Sequence, residues 1–254
     1  MSSDRKWIAL ALGMTLAGSL CSCLREIENT YNPGVSPAVV RQHGDSAFMM
    51  ALTRFGWIYG ERFSSYSEGK CLLVSFDYDP ASPENAGAEE RGYYRVEVQA
   101  DQAVDQWTAT SPLTPTDRLL TYEQPVPLAV NPYDTLYYTL LDNYLFLPSI
   151  CQTTAGRELS WQLTYDSLQQ PRNEKGRDVY ALFLRAVATT PPPEEQGDTL
   201  VAALNAFDLS RFREAARRVN GEGEAYIRLH YVNSIDPADS SRFTWGATEP
   251  LPIN

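Results

Sequence analysis

The chain has 254 residues, 43% of them hydrophobic and 21% charged, and a formal net charge of -11. That apolar share supports one large packed domain or two small ones and excludes wholesale disorder. The acidic balance excludes nucleic acid as a partner and excludes electrostatic attraction to anionic lipid headgroups, since an acidic body repels both.

Arg5 and Lys6 precede an apolar run over residues 7–20. A bilayer-spanning helix needs roughly 20 apolar residues, so this run is too short and has the proportions of an export signal. It ends Leu20-Cys21-Ser22-Cys23. An aliphatic residue, a tolerant position, a small residue and then cysteine resembles the lipobox of bacterial lipoproteins. The resemblance implies that residues 1–22 are removed, Cys21 with them, and that Cys23 is lipidated and becomes the new N-terminus. The remaining chain would carry a charge of about -12. An anchored lipoprotein of the outer membrane is the expected form, because several acyl chains, at about 0.8 kcal/mol per buried methylene, hold stably. The following Leu24-Arg25-Glu26-Ile27-Glu28 leaves the periplasmic and cell-surface faces both open. Cys71 and Cys151 remain, either as a disulfide or as two buried thiols.

Residues 23–36, with Asn29, Asn32, Pro33 and Gly34, read as a tether. Two short strands are expected over 48–52 and 55–59. Alternation then places Leu72, Val74, Phe76 and Tyr78 on one strand face, and Tyr94, Val96 and Val98 on another. Between them, 80–92 reads as a long exposed hairpin connection. A small sheet of about five strands, compact enough for a barrel, is expected over residues 37–125. Pro112, Pro115, Pro125, Pro127 and Pro132 mark the boundary, because proline lacks the donor that a central strand needs.

A second β domain is expected over 126–254. Leu159, Trp161, Leu163 and Tyr165 share a face. Residues 178–187 form a nearly continuous apolar strand broken by Arg185, and 200–209 form another. Residues 188–198 contain three consecutive prolines and read as an exposed loop. Ser210 to Gly221 is the one convincing helix, with Phe212, Ala215, Ala216 and Val219 on one stripe and Arg217 and Arg218 near its C-terminus. Residues 225–232 alternate, with Ile227, Leu229 and Tyr231 facing in and Arg228 and His230 facing out. The fold class is therefore mainly β, with antiparallel strands and one short helix.

Motifs for chemistry are absent. His43 and His230 lie in different expected domains, too few and too far apart for a zinc site. There is no nucleophile elbow and no phosphate-binding loop. Asp77-Tyr78-Asp79 opens like a calcium loop, but position six is Ser82 and position twelve is Ala88, where glycine and glutamate belong. No catalytic residue, metal or cofactor is expected. The doublets Tyr93-Tyr94 and Tyr137-Tyr138 each turn one ring outward on a strand, either to bind a partner or to cover a further core.

The order of elements carries a resemblance. Glu68-Gly69-Lys70-Cys71-Leu72-Leu73-Val74-Ser75-Phe76 follows the lipobox leader. Asn143-Tyr144-Leu145-Phe146-Leu147, Trp161-Gln162-Leu163-Thr164-Tyr165-Asp166 and Val179-Tyr180-Ala181-Leu182-Phe183-Leu184-Arg185 come next. Phe207-Asp208-Leu209-Ser210 and Ile227-Arg228-Leu229-His230-Tyr231 close the series. Together they resemble the NigD-like lipoproteins of Bacteroides-type bacteria. The resemblance implies a small OB-like β-barrel followed by an antiparallel β-sandwich, with no catalytic residues to carry over. The family name comes from a bacteriocin locus, so an immunity role belongs to some members. The expected function is non-enzymatic binding of a protein or glycan ligand by an anchored envelope lipoprotein. A fimbria-associated or adhesin-type sandwich that polymerises by strand donation is the alternative, and a hydrolase with an unrecognised site is a third reading.

Overall fold

The computed structural model of the chain describes residues 30–126, 138–154, 157–191, 198–221 and 223–253. Cys23, Tyr137 and residues 192–197 lie outside the described residues.

The first unit is built from Val35–Gln42 (β1), Met49–Thr53 (β2), Gly56–Tyr59 (β3), Cys71–Asp77 (β4), Tyr93–Arg95 (β5) and Glu97–Ala103 (β6). Alternation turns Ala38, Val40, Ala51, Ile58, Leu72, Val74, Phe76 and Val98 into one core. The strand order is β5-β3-β2-β1-β4-β6. β5 and β6 are a single run of chain that bends at Val96, whose N–H donates to the Tyr59 carbonyl at 2.9 Å. One strand therefore pairs with β3 by its first half and with β4 by its second, and the sheet closes into a five-stranded barrel without free edges. Phe63, on a 3-10 turn Glu61–Ser65 between β3 and β4, fills the barrel interior and is fully buried. The entry to that turn must be glycine, since a Cβ on Gly60 would meet Val98 at 2.6 Å.

Two segments differ from their sequence reading. The expected tether is ordered from Tyr31: its N–H and carbonyl exchange bonds with Tyr78 at 2.8 and 3.1 Å, and Asn32 donates to Asp77. The segment supplies partners to the end of β4 that would otherwise face water. The 80–92 connection folds around Asn85, whose amide donates to the carbonyls of Asp79 and Arg95 and accepts the Arg95 N–H at 2.8 Å. A buried asparagine whose amide makes three bonds to backbone groups turns a polar loop into a fixed plug.

The second unit is a sandwich. One sheet orders Asp105–Thr108 (β7), Asp198–Asp208 (β14), Tyr144–Thr154 (β10) and Thr139–Leu141 (β9) as β7-β14-β10-β9. The other has Leu159–Thr164 (β11), Arg177–Ala188 (β13), Ala225–Asp236 (β15) and Asp239–Ala247 (β16) in that order. Glu123–Gln124 (β8), Arg172–Glu174 (β12) and Leu251–Pro252 (β17) add short pairings. Leu145, Leu147, Phe207, Trp161, Leu163, Leu182, Leu184, Ile227 and Leu229 meet between the sheets, with Phe212 and Ala216 of the helix Ser210–Asn220. Most pairs are antiparallel, as expected, but β13 and β15 run parallel. β14 crosses to the other sheet and the helix returns the chain, so β15 re-enters beside β13 in the same sense. Residues 105–125, expected to finish the first unit, pair instead with the second: β7 pairs with β14 and β8 with β13. The barrel strands thus end at Ala103, because the chain leaves them directly into the sandwich edge.

The two units share a third core. Val39, Cys71 and Val104 meet Phe146, Leu141 and Ala206. The period of two makes this possible: Phe146 and Ala206 face the barrel, while Leu145 and Phe207 face the sandwich interior. Gln106 accepts from the Cys71 N–H at 3.1 Å and donates to the Gly69 carbonyl at 2.9 Å. Arg41 donates two bonds to Asp142, at 3.0 and 2.5 Å. Cys71 is in this junction and Cys151 is in the sandwich core, so the two thiols are not joined. Burial pushes the Cys71 thiol up to about 12.

The outer face of the larger sheet carries Arg185, with no exposed side-chain surface. It donates to Glu123, equally sealed, at 2.5 Å. It also donates to the Pro115 carbonyl at 2.5 Å and packs 5.0 Å from the Trp245 ring. Trp245 donates to the Thr116 carbonyl at 3.0 Å, and Glu123 accepts the Leu120 N–H at 2.7 Å. Residues 112–124 form a strap pinned across this face. Burial raises the Glu123 carboxyl above its usual range, against the opposing pull of Arg185 and the Leu120 N–H. On the same face His230 stacks on Phe183 at 4.7 Å, and burial, followed by the charge of Arg228, holds its imidazole below its ordinary 6.5.

Arg185→Met should lower urea-unfolding stability by about 3–5 kcal/mol, because it strands a buried carboxylate, and Glu123→Leu combined with Arg185→Met should recover most of the loss. A loss under about 1 kcal/mol for the single variant would show that the pair holds nothing. The folded chain resists protonation of His230 to lower pH than the unfolded chain, which protonates near 6.5. Its contribution is therefore complete above that value and lost as pH falls through the lowered folded value. His230→Phe should flatten the fall of the urea midpoint between about pH 7 and pH 5, and an unchanged slope would refute the assignment. In a chain starting at Leu24, a disulfide reagent should find no reactive thiol in the native state and two after unfolding. Native reaction at Cys71 would mean that the junction opens.

Candidate functional site

The outer face of β2, β3 and β5 gathers rings. Ile58 points into the barrel, so Trp57 and Tyr59 on either side of it point out. Register sets Tyr93 beside Trp57 and Arg95 beside Tyr59. The loop between β1 and β2 adds His43, stacked on Trp57 at 4.4 Å and 26°, and Phe48, at 4.5 Å from Tyr59 and 6.0 Å from Tyr93. Arg95 lies 5.4 Å from the Tyr59 ring and Arg91 lies 5.2 Å from the Tyr93 ring. All five rings are half-buried, so each keeps a face or edge toward solvent. Their mutual contacts hold them in place before any ligand arrives.

Beside Tyr59 this face runs into an open groove of about 410 Å³ lined also by Arg95, Glu61, Glu84 and Glu97. Its floor is the Val96 bend that closes the barrel. The 78–92 loop forms one rim and is fixed by Asn85 and by Arg91, which donates to the Ala86 and Glu84 carbonyls at 2.7 and 2.9 Å. The arrangement is a row of aromatic faces with carboxylates and a guanidinium at its end. Such a surface stacks on flat apolar faces and exchanges hydrogen bonds with hydroxyl or amide groups.

The residues singled out from sequence scatter. Tyr93 joins the ring face. Tyr94 turns the other way and packs 5.5 Å from Tyr78. Tyr138 is half-buried against the sandwich core. His43 lies on the barrel and His230 on the sandwich, and the structure does not bring them together. Asp77 accepts from Asn32 and Gln99, and Asp79 accepts the Ala81 N–H at 2.8 Å, so both carboxylates serve the loop. Among the described residues no group of three or more histidines, cysteines or carboxylates is placed to hold a metal ion. No described helix is long and apolar enough to cross a membrane. Sequence reasoning missed Trp57, Tyr59, Phe48 and His43 as a set. The available signal was the alternation Trp57-Ile58-Tyr59, which places two large rings on one face.

Comparison with known proteins agrees with the architecture. Residues 28–102 match the family model described as a lipoprotein OB domain. No curated protein matches the sequence. Among solved structures, an uncharacterized protein from Parabacteroides merdae is similar with a TM-score of 0.68 at 18% identity, over 86% of this chain and 97% of that one. A lipoprotein candidate from Bacteroides fragilis gives 0.63 at 12% identity, over 88% and 99%. A NigD-like immunity protein from Bacteroides caccae gives 0.50 at 14% identity, over 84% and 91%. The barrel, with its strand order and its 3-10 turn between β3 and β4, has the OB fold over the stretch that matches the lipoprotein OB domain model, and the whole fold is similar to these Bacteroides and Parabacteroides structures.

Proposed function

We propose that this chain is a non-catalytic envelope lipoprotein, held in the outer membrane through Cys23, that binds an oligosaccharide on the ring face of its barrel. The observation that carries the reading is the alignment of His43, Trp57, Tyr59 and Tyr93 on β3, β5 and the first loop. OB folds bind oligonucleotides or oligosaccharides across this same strand face, between the loops that here are residues 43–48 and 78–92. A net charge of -11 repels a polyphosphate backbone, which leaves the sugar. Sugar rings stack on aromatic faces, and Glu61, Glu84, Glu97 and Arg95 supply partners for their hydroxyls. The Leu20-Cys21-Ser22-Cys23 segment and the match of residues 28–102 to a lipoprotein domain support the anchor.

A toxin-neutralising role is the second reading, favoured by the fold shared with a NigD-like immunity protein. It predicts protection of cells against a bacteriocin and no retention by glycans.

Two measurements test the proposal. Cys23→Ala should move the protein from the membrane fraction to the soluble one; a form that stays in the membrane would refute the anchor. In affinity electrophoresis through gels holding mannan, xylan or polygalacturonate, at least one polymer should retard the protein. Trp57→Ala and Tyr59→Ala should each weaken that retardation by about tenfold. Equal retardation of wild type and both variants would place binding elsewhere, and no retardation by any of the three would count against a sugar ligand.

A further inference from the structure

The strap leaves a second cleft, far from the ring face in sequence and in fold. It lies between residues 117–124 of the strap and the hairpin that joins β15 to β16, where Ile235, Ser240 and Ser241 form the opposite wall. Its volume is about 680 Å³, inside the range of about 300–1,000 Å³ of small-molecule sites. Leu119, Leu120 and Ile235 are half-buried along it.

Three features give the cleft chemical character. Tyr122 projects a largely exposed ring from a left-handed backbone, φ +61°, which a bulky residue adopts only when its surroundings impose it. The Ala188 N–H and the Gln124 amide both donate to the Tyr122 carbonyl, at 3.0 and 2.8 Å, and fix the strap here. Arg157 reaches in from the start of β11, fixed by bonds to the Thr190 carbonyl, with its guanidinium 5.9 Å from the Tyr122 ring. Arg118 is exposed on the rim beside Asp117. Glu123 is neutralised by Arg185, so Arg118 and Arg157 against Asp117 leave an excess of positive charge in a protein whose net charge is -11. The opposite wall adds the exposed Ser240 and Ser241 hydroxyls, which can accept a hydrogen bond from a ligand.

We propose that this cleft is a second binding site, and that it takes a small amphiphilic anion: one carboxylate or sulfonate on an apolar body, ideally with a hydroxyl or amide donor. The anionic group faces Arg118 and Arg157, the body lies on Tyr122 and the leucines, and the donor meets the Ser240 and Ser241 hydroxyls.

The test uses the mature chain carrying Cys23→Ala, so that no detergent is present, and two dyes. One is 1-anilinonaphthalene-8-sulfonate, and the other is its neutral counterpart N-phenyl-1-naphthylamine. The sulfonate should bind saturably at one site per chain, with at least tenfold higher affinity than the neutral dye. Arg118→Met with Arg157→Met should weaken the sulfonate by at least tenfold and leave the neutral dye within twofold. Tyr122→Gly, which keeps the left-handed backbone and removes the ring, should weaken both dyes; it provides the reading if the double variant fails to fold. Trp57→Ala should change neither. Absence of saturable sulfonate binding, equal affinity in the wild type and arginine variants, or loss on Trp57→Ala alone would overturn the proposal. That last result would place the dye on the barrel and leave the ring-face reading intact.

Discussion

A guanidinium and a carboxylate, both withdrawn from water, hold the outer face of the larger sheet. Arg185 and Glu123 are 62 positions apart, and each has a fully buried side chain. Burying a charge is costly unless it is paired and hydrogen-bonded. Here the cost is offset by a set of bonds that all end on one segment: the Pro115 and Arg118 carbonyls accept from Arg185, and the Leu120 N–H donates to Glu123. A proline-rich stretch cannot join a central strand, because its prolines lack donors. It can still be fixed by its carbonyls, and Arg185 and Trp245 use those. The Trp245 bond to Thr116 and the pairing of β8 with β13 add to this hold, and the strap so fixed forms one wall of the cleft beside Tyr122.

The junction between barrel and sandwich rests on a different principle. Phe146 and Ala206 belong to strands whose alternate residues fill the sandwich core, so one sheet is apolar on both faces. Such a sheet must be covered twice. The barrel covers it with Val39, Cys71 and Val104, and Gln106 satisfies the Cys71 N–H at the seam. The two units therefore behave as layers of one body, and the ring face and the strap cleft keep a fixed relation to one another.

The ring face is set by barrel closure, and the bend at Val96 that closes the barrel also forms the groove at its end. Its chemistry is stacking and hydrogen bonding. Three of the groups whose proton affinity is displaced, Cys71, Glu123 and His230, are displaced chiefly by burial within packed or pinned regions. None of them lies on the ring face.

Sequence alone determined the strands with strong alternation. Leu72 to Phe76, Leu159 to Tyr165 and Ile227 to Tyr231 carry their inward faces in their spelling, because a half-buried strand repeats every two residues. The helix Ser210–Asn220 was equally legible from its 3.6-residue stripe and its glycine stop. The resemblance to NigD-like lipoproteins supplied the barrel-then-sandwich order, and the apolar run 7–20 ahead of Cys23 supplied the proposed anchor. What tertiary structure decided is everything that depends on a partner distant in sequence. The strap reads as a linker because its prolines exclude it from a sheet, and only Arg185 and Trp245 show where it lies. Arg185 reads as a flaw in an apolar strand, and only Glu123 explains it. β16, rich in serine and threonine, buries its rings against the outer face of β15 and the strap rather than in a core, so its pattern was too weak to find. The ring face likewise comes from two strands and a loop whose residues say nothing about one another until register aligns them.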